Sequence, residues 1–214
     1  MVNEPLTERP GQGTFLELAW IPIVAGAFAV LVAVGAMYVL TGEREQAAQG
    51  RAELFADIGG DFTLTGHTGE PVSLSDFHGQ VVLVYFGYTY CPDVCPIHLT
   101  LISAALDQMG RRAGEFQPLF VTVDPARDTP EAMARYVDYF AASLIGLSGS
   151  ETEIGEVAAQ YAVARQVVGD PASDNYTVDH SSVIYVVGRE GQIVDLLNTD
   201  QTPDEFAAQL RRLL

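Results

Sequence analysis

At 214 residues the chain is long enough for one globular domain and an appendage. Its formal charge of −17 includes no lysine, which leaves no basic footprint and so excludes nucleic-acid binding. The acidity reads first as a solubility feature, with a cation-attracting surface as the weaker alternative.

Residues 1–17 form a short N-terminal tail. From Leu18 to Leu40 no charged residue occurs, and the run is bounded by Glu17 and Glu43. As a helix it would span roughly 35 Å, enough for a hydrocarbon core of about 30 Å. It is longer than the roughly 7–15 apolar residues of a cleaved leader. It also has no polar face, so a buried core helix fits poorly and a transmembrane anchor is expected over 18–40. Arg9 and Arg44 lie on opposite sides and do not set the orientation by charge. A short tail before a large C-terminal domain fits a signal-anchor with the domain outside the cytoplasm. Residues 41–59 are then a charged tether rich in Ala, Gln and Gly, and the globular domain is expected over 60–214.

Within that domain Asp61–Thr65 and Pro71–Leu74 read as a hairpin around a glycine turn, followed by a loop through Gly79. Val81 to Phe86 is an apolar, β-branched run, the pattern of a central strand buried on both faces. A Gly-Tyr-Thr-Tyr turn follows, then Cys91-Pro-Asp-Val-Cys95, the only two cysteines. From Pro96 a helix is expected, with Leu99, Ile102, Ala105, Leu106 and Met109 at helical spacing. Phe116–Val123 reads as a strand. Thr129-Pro130-Glu131 opens a helix reaching about Ala142, with a cap, a first-position proline and an acid in the first turn. A strand over Leu144–Leu147, a helix over about Thr152–Tyr161 and an extended stretch at 163–168 follow. Gly169–Thr177 is a polar loop. Ser182–Val187 and Gln192–Leu196 form a strand pair, and Thr202-Pro203 starts a last helix. The order implies an α/β sandwich around a mixed sheet.

The two thiols thus sit where a buried strand hands the chain to a helix N-terminus, where the helix dipole lowers a thiol's pKa. Thioredoxin-type redox sites use two intervening residues, whereas this chain has three. Positions four apart on a helix hold their Cβ atoms about 5–6 Å apart, against about 3.8 Å for a disulfide. A bridge would need a distorted first turn, which Pro92 and Pro96 permit. A metal is less demanding, because two sulfurs each about 2.3 Å from an ion can be well apart. Two soft thiolates suit Cu(I) or zinc and need a third ligand. His67 and His78 read as solvated. His98 stands three residues after Cys95 and would share a helix face with both thiols if the helix ran through Cys91. His180 precedes a strand whose entry should face the cysteine turn. Both remain candidates.

Gly87-Tyr-Thr-Tyr-Cys-Pro-Asp-Val-Cys-Pro96, Val123-Asp-Pro-Ala-Arg-Asp-Thr-Pro-Glu131 and Val178-Asp-His-Ser-Ser182 occur in this order. Together they resemble the Sco/SenC family of membrane-anchored copper-delivery proteins. The resemblance covers about residues 60–214, and the single anchor matches the family's architecture. It implies a thioredoxin-like fold behind one N-terminal transmembrane helix. It also implies a copper site of Cys91, Cys95 and His180, taking Cu(I) with Cu(II) as an open second state. The implied task is assembly of the dinuclear copper centre of cytochrome c oxidase. The partners would be that enzyme's copper-bearing subunit and other copper carriers, and the domain would lie in the periplasm on a bacterial inner membrane. Asp124, Arg127 and Asp128 match a family segment with a structural role beside the site. His98 stands where many members have an acidic or other polar residue.

Three classes remain: a copper metallochaperone without turnover, a thiol–disulfide oxidoreductase whose cysteines Cys91 and Cys95 reduce the target, and a peroxidase of the peroxiredoxin kind. The last needs a Thr or Ser three residues before the reactive cysteine, where Tyr88 and Pro92 stand instead.

Overall fold

The computed structural model describes residues 25, 26, 28, 30–35, 37–39, 55, 57–173 and 175–214. The chain divides into two compact units, residues 1–49 and 50–214. In the first, Ala25, Gly26, Phe28, 30–35 and 37–39 are helical. The rest of the anchor expected over 18–40, the tail over 1–17 and most of the tether lie outside the described residues. Among the described residues no helix is long and apolar enough to cross a membrane.

In the second unit, β1 (Thr63–Gly66) and β2 (Pro71–Ser73) form the expected hairpin, turning at Gly69 with φ +88°. A 3-10 turn, Leu74–Phe77, leads to β3 (Val81–Gly87), and α1 (Val94–Met109) follows the cysteine loop. Next come β4 (Phe116–Thr122), α2 (Pro130–Val137), β5 (Ile145–Ser148) and α3 (Glu151–Gln160). The chain ends with β6 (Arg165–Val168), β7 (Thr177–His180), β8 (Ile184–Val187), β9 (Ile193–Leu197) and α4 (Pro203–Arg212).

Seven strands make one mixed sheet in the order β2-β1-β5-β4-β3-β8-β9, while β6 and β7 pair in a sheet of their own. The fold is a thioredoxin-like α/β sandwich. Every residue of β3 and of β4 is buried, as the unbroken apolar run requires of strands covered on both faces. α1 packs against α4; Leu99, Ile102, Ala105, Leu106 and Met109 of the one and Phe206, Ala207 and Leu210 of the other are buried in the core.

The register positions the site. β3 and β4 run parallel with Gly87 opposite Thr122, so the loops that follow them leave the sheet side by side. β8 is antiparallel to β3 with Ile184 opposite Tyr85, so the chain enters β8 from that same edge. Residues after His180 are thereby delivered to the cysteine loop.

Local signals account for most boundaries. Thr129 Oγ1 accepts the Ala132 N–H at 3.3 Å, and Ser150 with Glu153 and Thr202 with Glu205 form capping boxes. α2 stops at Val137, short of the expected Ala142, and the Ala141 N–H donates to Ser103 Oγ at 2.9 Å. α1 begins at Val94, ahead of the expected Pro96. A proline within the first helical turn has no N–H that the ladder would use, so it does not delay the helix.

Candidate metal centre

Cys91 and Cys95 are free thiols, and both are buried. Cys91 lies in the loop and Cys95 in the first turn of α1, so no continuous helical stripe links Cys91, Cys95 and His98. The Cys95 N–H, one of the first-turn donors without a helical acceptor, donates to Cys91 Sγ at 3.4 Å. Asp93, the helix cap, supplies no side-chain hydrogen bond, so this sulfur stands in for the usual oxygen.

The Cys95 sulfur packs onto the end of β3. A Cβ placed on Gly87 would stand 2.8 Å from Cys95 Sγ and 2.7 Å from Phe120 Cε2. Glycine is required there for room, because the sulfur occupies the space a side chain would take. On its other side Cys95 Sγ lies 3.5 Å from His180 Nε2. His180 Nδ1 is 2.8 Å from the Ser181 carbonyl. That oxygen can only accept, so the proton sits on Nδ1 and the Nε2 lone pair faces the sulfur. The Tyr88 ring meets the imidazole edge-on, with centroids 5.9 Å apart.

Burial decides the protonation states. It pushes the Cys95 thiol up to about 12, helped by Cys91 and opposed by the Tyr88 backbone and the Tyr85 hydroxyl. The low value expected of a thiol at a helix N-terminus therefore does not hold for Cys95, whose desolvation outweighs the dipole. Burial also holds His180 below its ordinary value, which keeps the imidazole neutral at neutral pH.

The loop after β4 ties the parts together. Asp128, fully buried, accepts the Thr89 N–H at 3.0 Å, the Thr89 hydroxyl at 2.5 Å and the Thr122 hydroxyl at 2.7 Å. Its backbone carbonyl accepts the Ser148 hydroxyl. Arg127 Nε donates to Asp124 Oδ2 at 2.5 Å, and its Nη1 donates to the Tyr176 carbonyl at 3.1 Å. The Tyr176 hydroxyl donates to Asp124 Oδ1 at 2.7 Å. The Arg127 guanidinium carbon lies 3.5, 4.7 and 5.8 Å from the ring centroids of Tyr176, Tyr90 and Tyr88. Tyr176 immediately precedes β7, so Asp124 and Arg127 clamp the strand that ends in His180, while Asp128 holds the cysteine loop.

The other histidines take different places. His98 is buried, and its Nδ1 is 2.9 Å from the Tyr85 hydroxyl, which in turn sits beside Cys95. His98 thus stands behind the thiol rather than across the cleft from it. His67, expected to be solvated, accepts the Gly146 N–H at 3.1 Å and is half-buried, while His78 is exposed. Tyr85 and Tyr176 were not singled out from the sequence. Tyr88 carried a signal there, as part of the turn before Cys91.

A cleft of about 330 Å³ opens beside these groups, lined by Tyr88, Cys91, Asp93, Val94, Asp179 and His180 among others. Among the described residues no three His, Cys, Asp or Glu side chains already stand together as a metal-holding group. The donor set suits a soft cation: two sulfurs and one bare imidazole nitrogen.

The SCO1/SenC family model matches residues 50–214. The human protein SCO1 homolog, mitochondrial, is 38% identical over 155 residues, covering 72% of this chain and 52% of that protein. The chain thus spans about half the length of that relative. The structure of Bradyrhizobium japonicum ScoI with copper bound matches with a TM-score of 0.69 at 43% identity, over 73% of this chain and 99% of that one. BsSco, in which a disulfide switch is described, is a member of the Sco family of cytochrome c oxidase assembly proteins. It matches with a TM-score of 0.57 at 26% identity, over 73% of this chain and 92% of its own.

Proposed function

This chain belongs to the SCO1/SenC family, and from that premise we propose that it is a copper metallochaperone. Cys91 and Cys95 supply two thiolates and His180 an imidazole to a copper ion carried as cargo, Cu(I) first. The recipient is the dinuclear copper centre of cytochrome c oxidase, reached through its copper-bearing subunit. Residues 18–40 anchor the chain in a bacterial inner membrane, 41–59 tether it, and 60–214 work in the periplasm.

The observation that carries this reading is the 3.5 Å approach of Cys95 Sγ to His180 Nε2, with Nδ1 already engaged by Ser181. A histidine held in that tautomer offers its lone pair to the thiol side of the cleft without rearranging. Cys95 binds only as thiolate, so loading releases its proton. The clamp through Tyr176 keeps the imidazole in reach, and the cleft gives the ion a way in and out.

A second reading, reduction of the target's cysteines by Cys91 and Cys95, draws support from the free state of both thiols and the contact between Cys91 Sγ and the Cys95 N–H.

Metal analysis of the reduced protein and a Cu(I) competition titration test the first reading. Wild type should bind one equivalent tightly, Cys91→Ser and Cys95→Ser should each lose tight binding, and His180→Ala should be severely weakened. Full stoichiometry in either cysteine variant would remove the two-thiolate site, and loss of metal in His98→Ala alone would reassign the third ligand.

A further inference from the structure

Exposed apolar side chains gather beside the cleft, on and next to the cysteine loop. Tyr90, Val94 and Ile97 are 58%, 40% and 57% exposed, and they bracket the two cysteines. Val94 and Ile97 are three residues apart on α1 and share a face. Val167 and Val168 are also exposed, on the strand paired with the one that ends in His180. Tyr90 is not a loose side chain, because its ring lies over the Arg127 guanidinium that Asp124 holds. An exposed aromatic that is already ordered loses little conformational freedom when covered, as an interface anchor should.

The charge at the mouth has one sign. Asp93 lines the cleft on the cysteine side and Asp179 on the histidine side, and neither is ion-paired among the described residues. Arg127 does not offset them, since it is engaged by Asp124 beneath Tyr90. Cys95 is fully covered and Cys91 is 9% exposed. A donor atom from another molecule therefore has to enter this cleft to reach an ion on the sulfurs, and its carrier has to rest on the mouth.

We propose that the mouth docks a protein acceptor that presents a thiol, thioether or imidazole donor on an apolar loop flanked by lysine or arginine. Apolar contact with Tyr90, Val94 and Ile97 holds the loop, and Asp93 and Asp179 select the cationic flanks. The transfer half of this inference rests on the copper-delivery reading; the docking half does not need metal.

Two cyclic peptides with one apolar loop and a pair of cysteines test it, one flanked by lysines and one by glutamates, each with a serine version lacking the donors. The serine peptides report docking to the copper-free full chain by fluorescence anisotropy. The lysine form should bind at least tenfold more tightly than the glutamate form, and added salt should shrink the difference. Ile97→Gln, a surface change outside the metal site, should weaken docking about fivefold or more. It should slow Cu(I) transfer to the cysteine peptide similarly, yet leave withdrawal by the small chelator bicinchoninate unchanged. Equal binding of the two serine peptides, or no effect of Ile97→Gln on docking, would overturn the proposal. Self-association of the wild type that Ile97→Gln abolishes would also overturn it, naming a second copy of this chain as the occupant. Failure to load copper would strike the delivery reading alone, since the serine peptides still report docking.

Discussion

Replacing Gly87 with alanine tests how closely the end of the central strand is fitted to the sulfur of Cys95. The added methyl would stand 2.7 Å from Phe120 Cε2 and 2.8 Å from Cys95 Sγ, both closer than carbon or sulfur tolerates. Phe120 and Cys95 are fully buried, so neither has free space to retreat into. Overpacking of this kind costs roughly 1–3 kcal/mol, which in a domain of this size lowers the melting temperature by roughly 2–12 °C. The same displacement alters the approach of Cys95 Sγ to His180, so Cu(I) affinity should fall at least tenfold in a competition titration. A double-mutant cycle isolates the cause. In a Cys95→Ala background one of the two clashes is gone, and Gly87→Ala should cost about 1 kcal/mol less than in the wild type. Chemical denaturation of the four proteins gives the coupling. Additive costs within about 0.3 kcal/mol, or an unchanged melting temperature, would refute the claim that the glycine is there to make room for the sulfur.

Tyr176→Phe removes the hydroxyl that donates to the buried Asp124 carboxylate, and should lower stability by about 1–2 kcal/mol, read as an earlier urea midpoint with unchanged slope. His98→Ala should leave Cu(I) affinity within about threefold while costing roughly 1–3 kcal/mol, because the buried Tyr85 hydroxyl loses one of its partners; titration and denaturation separate the two effects. Because burial holds Cys95 up to about 12, its thiol stays protonated at neutral pH. Conditional Cu(I) affinity should then rise about tenfold per pH unit for each proton released between about pH 6 and 8. The folded value lies above the ordinary 9.0, so the stability this thiol contributes is present below pH 9 and is lost as pH rises towards 12. Alkaline unfolding should show a shallower slope in Cys95→Ala than in wild type.

Much of the arrangement was legible in the chain. The run from Val81 to Phe86 fixed the central strand because few structures accommodate six consecutive apolar residues other than a strand covered on both faces. Thr129-Pro130-Glu131 gave a helix start because capping is local chemistry. The meeting of Cys95 with His180 followed from topology, since the chain enters β8 at the edge where β3 ends. What was not legible depended on three-dimensional neighbours. β7 was read as loop because Thr177–His180 is short and half polar, and it pairs with β6 alone. The Cys95 pKa was misjudged because sequence shows the helix end but not the depth of burial. That the Nδ1 of His98 stands on the Tyr85 hydroxyl was likewise not readable from its spacing to Cys95.

His180 belongs to the two-stranded β6–β7 sheet, whereas Cys95 belongs to α1 and Cys91 to the loop that joins β3 to that helix. The site is therefore divided between two mechanical parts, joined by the clamp of Asp124, Arg127 and Tyr176. The smaller sheet is also seated on the core through Tyr176 and Val178, so moving His180 away would uncover apolar surface as well as break the clamp. The placement of His180 and the stability of the domain thus share residues. A substitution near Tyr176 would therefore shift the position of His180 and the stability of the domain together.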